Sequence, residues 1–283
     1  MRTWQSSYSS QRLSAPSSHA ENAKCARKMP MADRALSAVR ERYATMALMI
    51  LVAVVGLLLW QLASTWVFAL PGPLKTLGAF KHVRADLAPA AFATFGNAAV
   101  GFVLAVTVGA MLGVVFGRSE YWYRVLNPIV VVGGAVPKII IYPILLLLLG
   151  LGPPSVIGMG FIGGVFSVLI NVMVAVRHIK PVYILVGRSL NVTPWRAFRR
   201  IYLPAVALPL LTGVRLCFGL TVVNVIFAEL FAAKAGMGKT IMDYYGVGRY
   251  AEMMVMILIL FLVAMGGSIL LWWLERRVRR AVT

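Results

Sequence analysis

The segment NVTPWRAFRRIYLP, residues 191–204, lies between two long apolar runs and carries three arginines together with Trp195, Phe198 and Tyr202. A membrane-spanning helix needs about 20 mostly apolar residues, and the runs on both sides of the segment are long enough. Arginines are costly in the hydrocarbon core of a bilayer, so this segment is expected to remain in water. The pattern therefore predicts a water-facing loop between two membrane spans.

The composition of the whole chain agrees with a membrane protein. Of its 283 residues, 60% are hydrophobic and only 13% are charged, although the net charge is +19. The basic residues lie in short segments between apolar runs, which argues against a nucleic-acid partner. Cys25 and Cys217 have no partner at disulfide or metal-site spacing, and no cluster suited to catalysis is present. No metal site and no enzymatic activity are expected.

Six stretches are long and apolar enough to span a bilayer. They are residues 46–69, 91–117, 124–150, 154–176, 205–231 and 251–274. The predicted fold class is an all-α membrane protein with six transmembrane helices. The predicted six-span domain covers residues 46–275, with the loop at residues 177–204 inside it.

The distribution of basic residues predicts the orientation of the chain. Twenty of the 28 Lys and Arg residues lie in the two tails and in the loops on their side, and only six lie in the opposite loops. The positive-inside rule then predicts a protein of the bacterial inner membrane, with both termini and the quoted segment on the cytoplasmic side. Residues 1–45 are predicted to be a mostly disordered tail, with a possible helix near 33–45, and residues 276–283 a basic tail. Met29 or Met31 is an alternative start.

Small residues inside the spans predict close helix packing. Gly109, Gly113 and Gly117 recur every four residues in the second span, and Gly160 and Gly164 do so in the fourth. This spacing places each set on one helix face, where two backbones can approach.

The third span is expected to be interrupted. It contains Gly133, Gly134, Pro137 and Pro143. Proline removes a helical hydrogen bond, and the freed carbonyls need partners in neighbouring helices or in a wet path. A solute path and a simple proline kink remain equal alternatives.

The cytoplasmic loop is predicted to form two short helices. Thr193 and Pro194 are a good N-cap and first-turn pair, so a helix is expected from there to Leu203, with Pro204 ending it. A preceding helix is expected from Pro181 to residue 190, and residue 191 is an asparagine, which tolerates a left-handed turn. The aromatic residues share one face and the arginines another. A basic amphipathic helix lying on anionic headgroups is the alternative to a protein-docking helix.

The segment VGRSLNVTPWRAFRRIYLP, residues 186–204, resembles the cytoplasmic "EAA" loop of binding-protein-dependent ABC importer permeases. VPKIIIYPILLLLLGLG at 136–152, GVRLCFG at 213–219, AELF at 228–231 and AGMGKTI at 235–241 are similar to the nitrate, sulfonate and bicarbonate branch of that family. Two positions depart from the family pattern, since Leu185 stands at the acidic position and Asn191 at the glycine position.

The resemblance implies an ABC importer type I permease-like bundle with a cytoplasmic coupling helix. The implied partners are a cytosolic ABC ATPase dimer, a second permease subunit, expected to be an identical copy, a periplasmic or extracellular solute-binding protein, and membrane lipid. The chain is expected to bind no cofactor, with ATP-Mg held by the partner ATPase. The residues implied to contact the ATPase are Arg188, Asn191, Trp195, Phe198, Arg199 and Arg200.

Polar residues inside the spans are candidates for a permeation path. They are Lys138, Asn171, Arg215, Asn224 and Glu229. A charge in mid-membrane must face a partner or a wet cavity, so these residues are interpreted either as an attractor for an anionic solute or as contacts that fix helix packing. Glu229 and Arg215 lie too far apart on one helix to pair with each other, and their partners must come from elsewhere.

The predicted function is that of a permease subunit that moves a small, nitrate- or sulfonate-like solute by alternating access. Two other classes remain open. An ion-coupled secondary transporter would carry its own coupling carboxylates, and Glu229 is the one candidate that lies well inside a predicted span. A membrane scaffold that recruits lipid or a cytosolic partner would transport nothing.

Overall fold

The computed structural model describes residues 31–282, without the side chains of residues 31–42, 188, 194, 281 and 282. Within this part the chain forms helices and no strand. The helices are α1 Met31–Trp66, α2 Pro73–Arg118, α3 Glu120–Ala135, α4 Tyr142–Leu149, α5 Pro153–Arg177, α6 Pro181–Ser189, α7 Pro194–Ala197, α8 Leu203–Ala232, α9 Met237–Gly246 and α10 Tyr250–Val282. A 3₁₀ turn, Lys138–Ile141, precedes α4, and a π-helical turn, Phe198–Tyr202, joins α7 to α8.

The chain contains two compact units, residues 1–63 and residues 64–283. The described part of the first unit is residues 31–63 of α1, and the α1 segment Tyr43–Trp66 is long and apolar enough to span a membrane. The predicted tail at residues 1–45 therefore overlaps α1 from Met31 onward, and residues 1–30 lie outside the described residues. The second unit contains the remaining helices.

The span count agrees with the prediction when the bent helix pair is counted as one span. Five helices are long and apolar enough to cross a membrane by themselves, and α3 with the 3₁₀ turn and α4 forms a sixth candidate that is bent by 90°. The bend falls at Val136, which is extended with φ −62° and ψ 133°. A residue before proline avoids the helical conformation, so Pro137 accounts for the break.

The second span begins earlier than predicted. Hydropathy placed its start at residue 91, whereas α2 is 46 residues long and begins at Pro73. Proline is well suited to a helix's first turn. The added half of α2 buries one face, at Thr76, Ala79, Val83 and Ala90. This half also carries Lys75, Lys81, Arg84 and Asp86, and these charges lower its mean hydropathy, so a hydropathy window misses it.

The bundle of the second unit is built around α5. In the most apolar 18-residue stretch of α5, 56% of the residues are buried, a larger share than in the four other single-helix spans. The predicted glycine stripe on α2 faces it, and a β-carbon at Gly113 would lie 2.8 Å from Cβ of Val172 on α5. On its other side, a β-carbon at Gly160 would lie 2.7 Å from Cγ2 of Val225 on α8. The predicted packing role of both glycine sets is confirmed.

Candidate functional site

The cytoplasmic loop folds as two short helices with a tight connection. The first, α6, begins at Pro181 as predicted. At its end the N–H of Val192 donates to the carbonyl of Gly187 at 3.0 Å, and Asn191 takes φ 50°. This six-residue hydrogen bond around a left-handed residue is the Schellman arrangement that usually requires glycine. The predicted left-handed turn at Asn191 is confirmed, and asparagine replaces glycine there without loss of the cap.

The prediction that Pro204 ends the second helix is wrong. The helix begins at Pro194 as expected, but it continues through the π-helical turn into α8. In that turn the N–H of Leu203 donates to the carbonyl of Phe198, five residues earlier. The wider turn leaves room for the ring of Pro204, which has no N–H to donate. A continuous helical path therefore connects α7 to the far end of α8.

The side chains of this loop form an exposed aromatic and basic surface. The rings of Trp195 and Phe198 stack with centroids 5.9 Å apart, and Trp195 is 69% exposed. Arg199 and Arg200 are also exposed. Arg188 lies in α6, but its side chain is outside the described residues.

An open groove of about 780 Å³ separates α6 from the α7–α8 helix. Its walls are mainly apolar and include Val182, Tyr183, Val186, Leu190 and Ile201, with Arg196 and Arg200 also lining it. Leu185 in α6 occupies the position where the ABC importer permeases that this loop resembles have an acid, and it is 58% exposed. The loop thus offers a surface with aromatic, apolar and cationic groups, and this is a chemistry that suits a protein partner.

The bend between α3 and α4 borders a small, partly open cavity. It has a volume of about 400 Å³ and is lined by two of the predicted polar residues, Lys138 and Asn224, together with Ser167. The ammonium group of Lys138 donates to the carbonyl of Gly134 and lies 5.3 Å from the ring centroid of Phe166. The structure therefore brings Lys138 and Asn224 together. Ser167 escaped prediction because a single serine in an apolar run has no distinguishing pattern.

Arg215 and Asn171 do not line the Lys138 cavity. A guanidinium nitrogen of Arg215 lies 3.3 Å from a carboxylate oxygen of Glu275 on α10. Glu275 is buried and also accepts hydrogen bonds from Thr212 and Arg279, each at 3.1 Å. The amide of Asn171 donates within its own helix to the carbonyl of Ser167 at 2.7 Å. Arg215 thus joins α8 to α10 through an ion pair.

Glu275 is a second buried carboxylate, so Glu229 is not the single acidic candidate that the sequence indicated. It was missed because it follows the predicted end of the last span at residue 274, where an acid is expected to be exposed.

Glu229 lies in a third place, where α8, α2 and the start of α9 meet. Its side chain is fully buried, and one carboxylate oxygen accepts hydrogen bonds from the hydroxyl of Thr94 at 2.7 Å and the N–H of Gly238 at 3.0 Å. The hydroxyl of Thr94 in turn accepts a bond from the N–H of Met237 at 2.7 Å. Gly236, with φ 126°, packs directly on the carboxylate. This arrangement ties three helices together.

Comparison with known proteins gives a family match over most of the bundle. A profile of the family described as binding-protein-dependent transport system inner membrane component matches residues 105–282. The nitrate import permease protein of Synechocystis sp. is 30% identical over 174 residues, which are 62% of this chain and 63% of that protein. The putative aliphatic sulfonates transport permease protein of Bacillus subtilis is 28% identical over 228 residues, covering 78% of this chain and 79% of that protein.

The arrangement of the helices is similar to that in a solved structure. A chain from the inward-facing MetNI methionine ABC transporter superposes with a TM-score of 0.54 and 21% identity, covering 71% of this chain and 96% of that one. At this identity the likeness concerns the arrangement of the helices and carries no information on the solute.

Proposed function

The chain belongs to the family of binding-protein-dependent transport system inner membrane components, and from this premise we propose that it is the permease subunit of an ATP-driven ABC importer. The solute is a small anion of the nitrate, sulfonate or bicarbonate type. It arrives on a solute-binding protein outside the membrane. The family match over residues 105–282 is the observation that carries the proposal.

The proposal assigns the surface of α6 and α7 to the partner ATPase. A cytosolic ATPase dimer would receive the stacked Trp195–Phe198 pair in a groove, with Arg199 and Arg200 beside it. An exposed tryptophan stacked on a half-buried phenylalanine, next to arginines, is typical of the residues that dominate binding energy in protein interfaces. The continuous helical path from α7 into α8 supports coupling, because no loop separates α7 from the membrane helix that it would have to move. Closure of the ATPases on ATP-Mg would then drive alternating access.

The Lys138 cavity is the best supported point of contact with the solute. Lys138 offers a cation and Asn224 an amide on the wall of one cavity, and both groups can hydrogen-bond to an oxyanion. The cavity lies at the broken span, and broken helices often surround solute sites in transporters. In this proposal two identical copies of the chain form the path, and the termini of both lie in the cytoplasm.

The coupling assignment is tested with membranes that contain the chain, its ATPase and its binding protein. Replacing Trp195, Phe198 and Arg199 by alanine should abolish co-purification of the ATPase and ATP-driven uptake of nitrate. The matched control is Phe92→Ala, which removes an aromatic side chain that is 85% exposed on α2. Unchanged ATPase binding and uptake in the triple variant would contradict the proposal, as would an equal loss in the control.

A further inference from the structure

A second cavity lies where the predicted cytoplasmic ends of the spanning helices meet the start of α6. Its volume is about 540 Å³, and it is bounded by the last residues of α2 and α5, the first turns of α6 and Tyr202 in the π-helical turn. Four of its lining side chains are basic or can become so: Arg118, Arg177, His178 and Lys180. No acidic side chain is among the described residues that line it.

Two of these four groups already have partners. Arg177 forms an ion pair with Glu120, and the same carboxylate also pairs with Arg124. A ring nitrogen of His178 lies 2.8 Å from the carbonyl of Val174. Glu120 is therefore shared between two arginines, which leaves its carboxylate little capacity to pair with Arg118 or Lys180.

Arg118 and Lys180 have no carboxylate partner among the described side chains. The guanidinium of Arg118 lies 5.3 Å from the ring centroid of Tyr202, a contact that leaves its N–H groups free to donate. Lys180 directly precedes α6, whose N-terminal end adds a partial positive charge on the same side. Two cations and a helix end thus converge on one cavity that lacks a negative charge.

We propose that this cavity binds the phosphate of an anionic phospholipid headgroup from the inner leaflet. Arginine and lysine are the usual donors to phosphate oxygens. Basic pockets at the cytoplasmic ends of membrane helices suit such headgroups. The remaining walls include Ile179, Ile184 and Leu185, which give the glycerol and upper acyl chain an apolar surface. Free phosphate would gain nothing from those walls, so they favour the lipid.

A bound headgroup would contact both the spanning helices and the loop that carries α6 and α7. It would fix the angle at which that loop leaves the membrane, because Arg118 ends α2 while Tyr202 belongs to the π-helical turn. Anionic lipid would then increase coupling to the ATPase. This consequence rests on the proposed function, whereas the binding site itself does not.

The test uses purified full-length protein in detergent and native mass spectrometry with phosphatidylglycerol or phosphatidylcholine. Each basic residue near a lipid surface contributes about a fivefold gain in affinity, so replacing Arg118 and Lys180 by glutamine should weaken phosphatidylglycerol binding roughly 25-fold. In the matched control, Lys75 and Lys81 at the start of α2 are replaced by glutamine, which removes the same amount of positive charge. It should bind phosphatidylglycerol like the parent, and phosphatidylcholine should bind weakly to every protein.

Several outcomes would overturn the proposal. These are equal binding of the two lipids by the parent, an unchanged affinity in the double variant, or an equal loss in the control. Displacement of the lipid by millimolar inorganic phosphate would assign the cavity to free phosphate instead. If the double variant melts at a lower temperature than the parent, the single Lys180→Gln variant replaces it, with an expected loss of about fivefold. Failure of this test leaves the ATPase experiment unaffected, since that experiment alters different residues.

Discussion

Replacing Gly113 by alanine should separate two helices at the centre of the bundle. The new methyl group would lie 2.8 Å from Cβ and 2.9 Å from Cγ1 of Val172, and 3.1 Å from the carbonyl oxygen of Leu169. Carbon atoms in good contact are about 3.5–4.0 Å apart, so α2 and α5 would have to move apart by roughly 0.7–1.2 Å. Val172 is only 1% exposed, and its β-branched side chain has little freedom to turn away.

The expected cost follows from this forced movement. Overpacking a well-packed interior typically costs about 1–3 kcal/mol. Alanine is favoured over glycine in a helix by about 0.5–1 kcal/mol, which offsets part of the loss. Gly113→Ala should therefore be destabilised by about 0.5–2 kcal/mol. The movement would also loosen the neighbouring close contacts at Gly109 and Gly117, which lie one helical turn away on each side.

Gly96 provides the matched control on the same helix. A β-carbon there would meet no atom within 4 Å, so Gly96→Ala should gain only the helix propensity and become slightly more stable. Thermal unfolding in detergent, followed through the fluorescence of the seven tryptophans, compares the two variants with the parent. The midpoints should shift in opposite directions. Equal shifts, or a higher midpoint for Gly113→Ala, would refute the packing argument.

Three further predictions concern buried polar contacts, and thermal unfolding in detergent measures each. The Glu229→Gln variant can keep both accepted hydrogen bonds, so its stability should stay close to that of the parent. The Glu229→Ala variant leaves two donors unpaired and should lose about 2–4 kcal/mol of stability. Equal losses of stability in the two variants would contradict this reasoning. Arg215→Ala leaves the buried carboxylate of Glu275 short of a charge partner and should cost about 1–3 kcal/mol, which the added change Glu275→Leu should largely restore. The hydroxyl of Tyr244 donates to Asp86 at 2.6 Å, and burial, followed by that carboxylate, raises the pKa of Tyr244 from 10.0 to about 12. The neutral phenol is thus favoured in the folded state, so its contribution to the stability of the fold is complete below pH 10 and is lost as the pH rises towards 12. The Tyr244→Phe variant should no longer show this loss of stability between pH 10 and 12. A pH profile of the unfolding midpoint that is the same as the parent's would refute the argument.

Features that depend on neighbouring residues in the chain were predicted well. Hydropathy located the spans, the loop motifs identified the family now matched over residues 105–282, and the all-helical membrane fold is confirmed by the likeness to a chain of a solved ABC transporter. The glycine spacing predicted the packed faces of α2 and α5 because both depend on helical periodicity alone. The left-handed turn at Asn191 followed from the conformational preference of asparagine.

Features that depend on distant residues were not predictable in this way. The hydrogen bond from Thr94 to Glu229 joins residues 135 positions apart, and no local pattern marks either residue as a partner of the other. The partner of Arg215 proved to be Glu275, on another helix and beyond a predicted span end. The first half of α2 was missed because its charged residues lower the mean hydropathy of the segment. Pro204 was misjudged because proline ends an α-helix but is accommodated after a π-helical turn.

The π-helical turn also determines how far α7 is rotated about the helix axis relative to α8. Each residue of an α-helix advances the chain by about 100° around the axis, so deleting one residue between Ala197 and Leu203 would rotate α7 by more than a quarter of a circle relative to α8. The stacked Trp195–Phe198 pair would then point in a new direction while the membrane-embedded part kept its place. The number of residues in the π-helical turn therefore determines the direction in which the aromatic pair points.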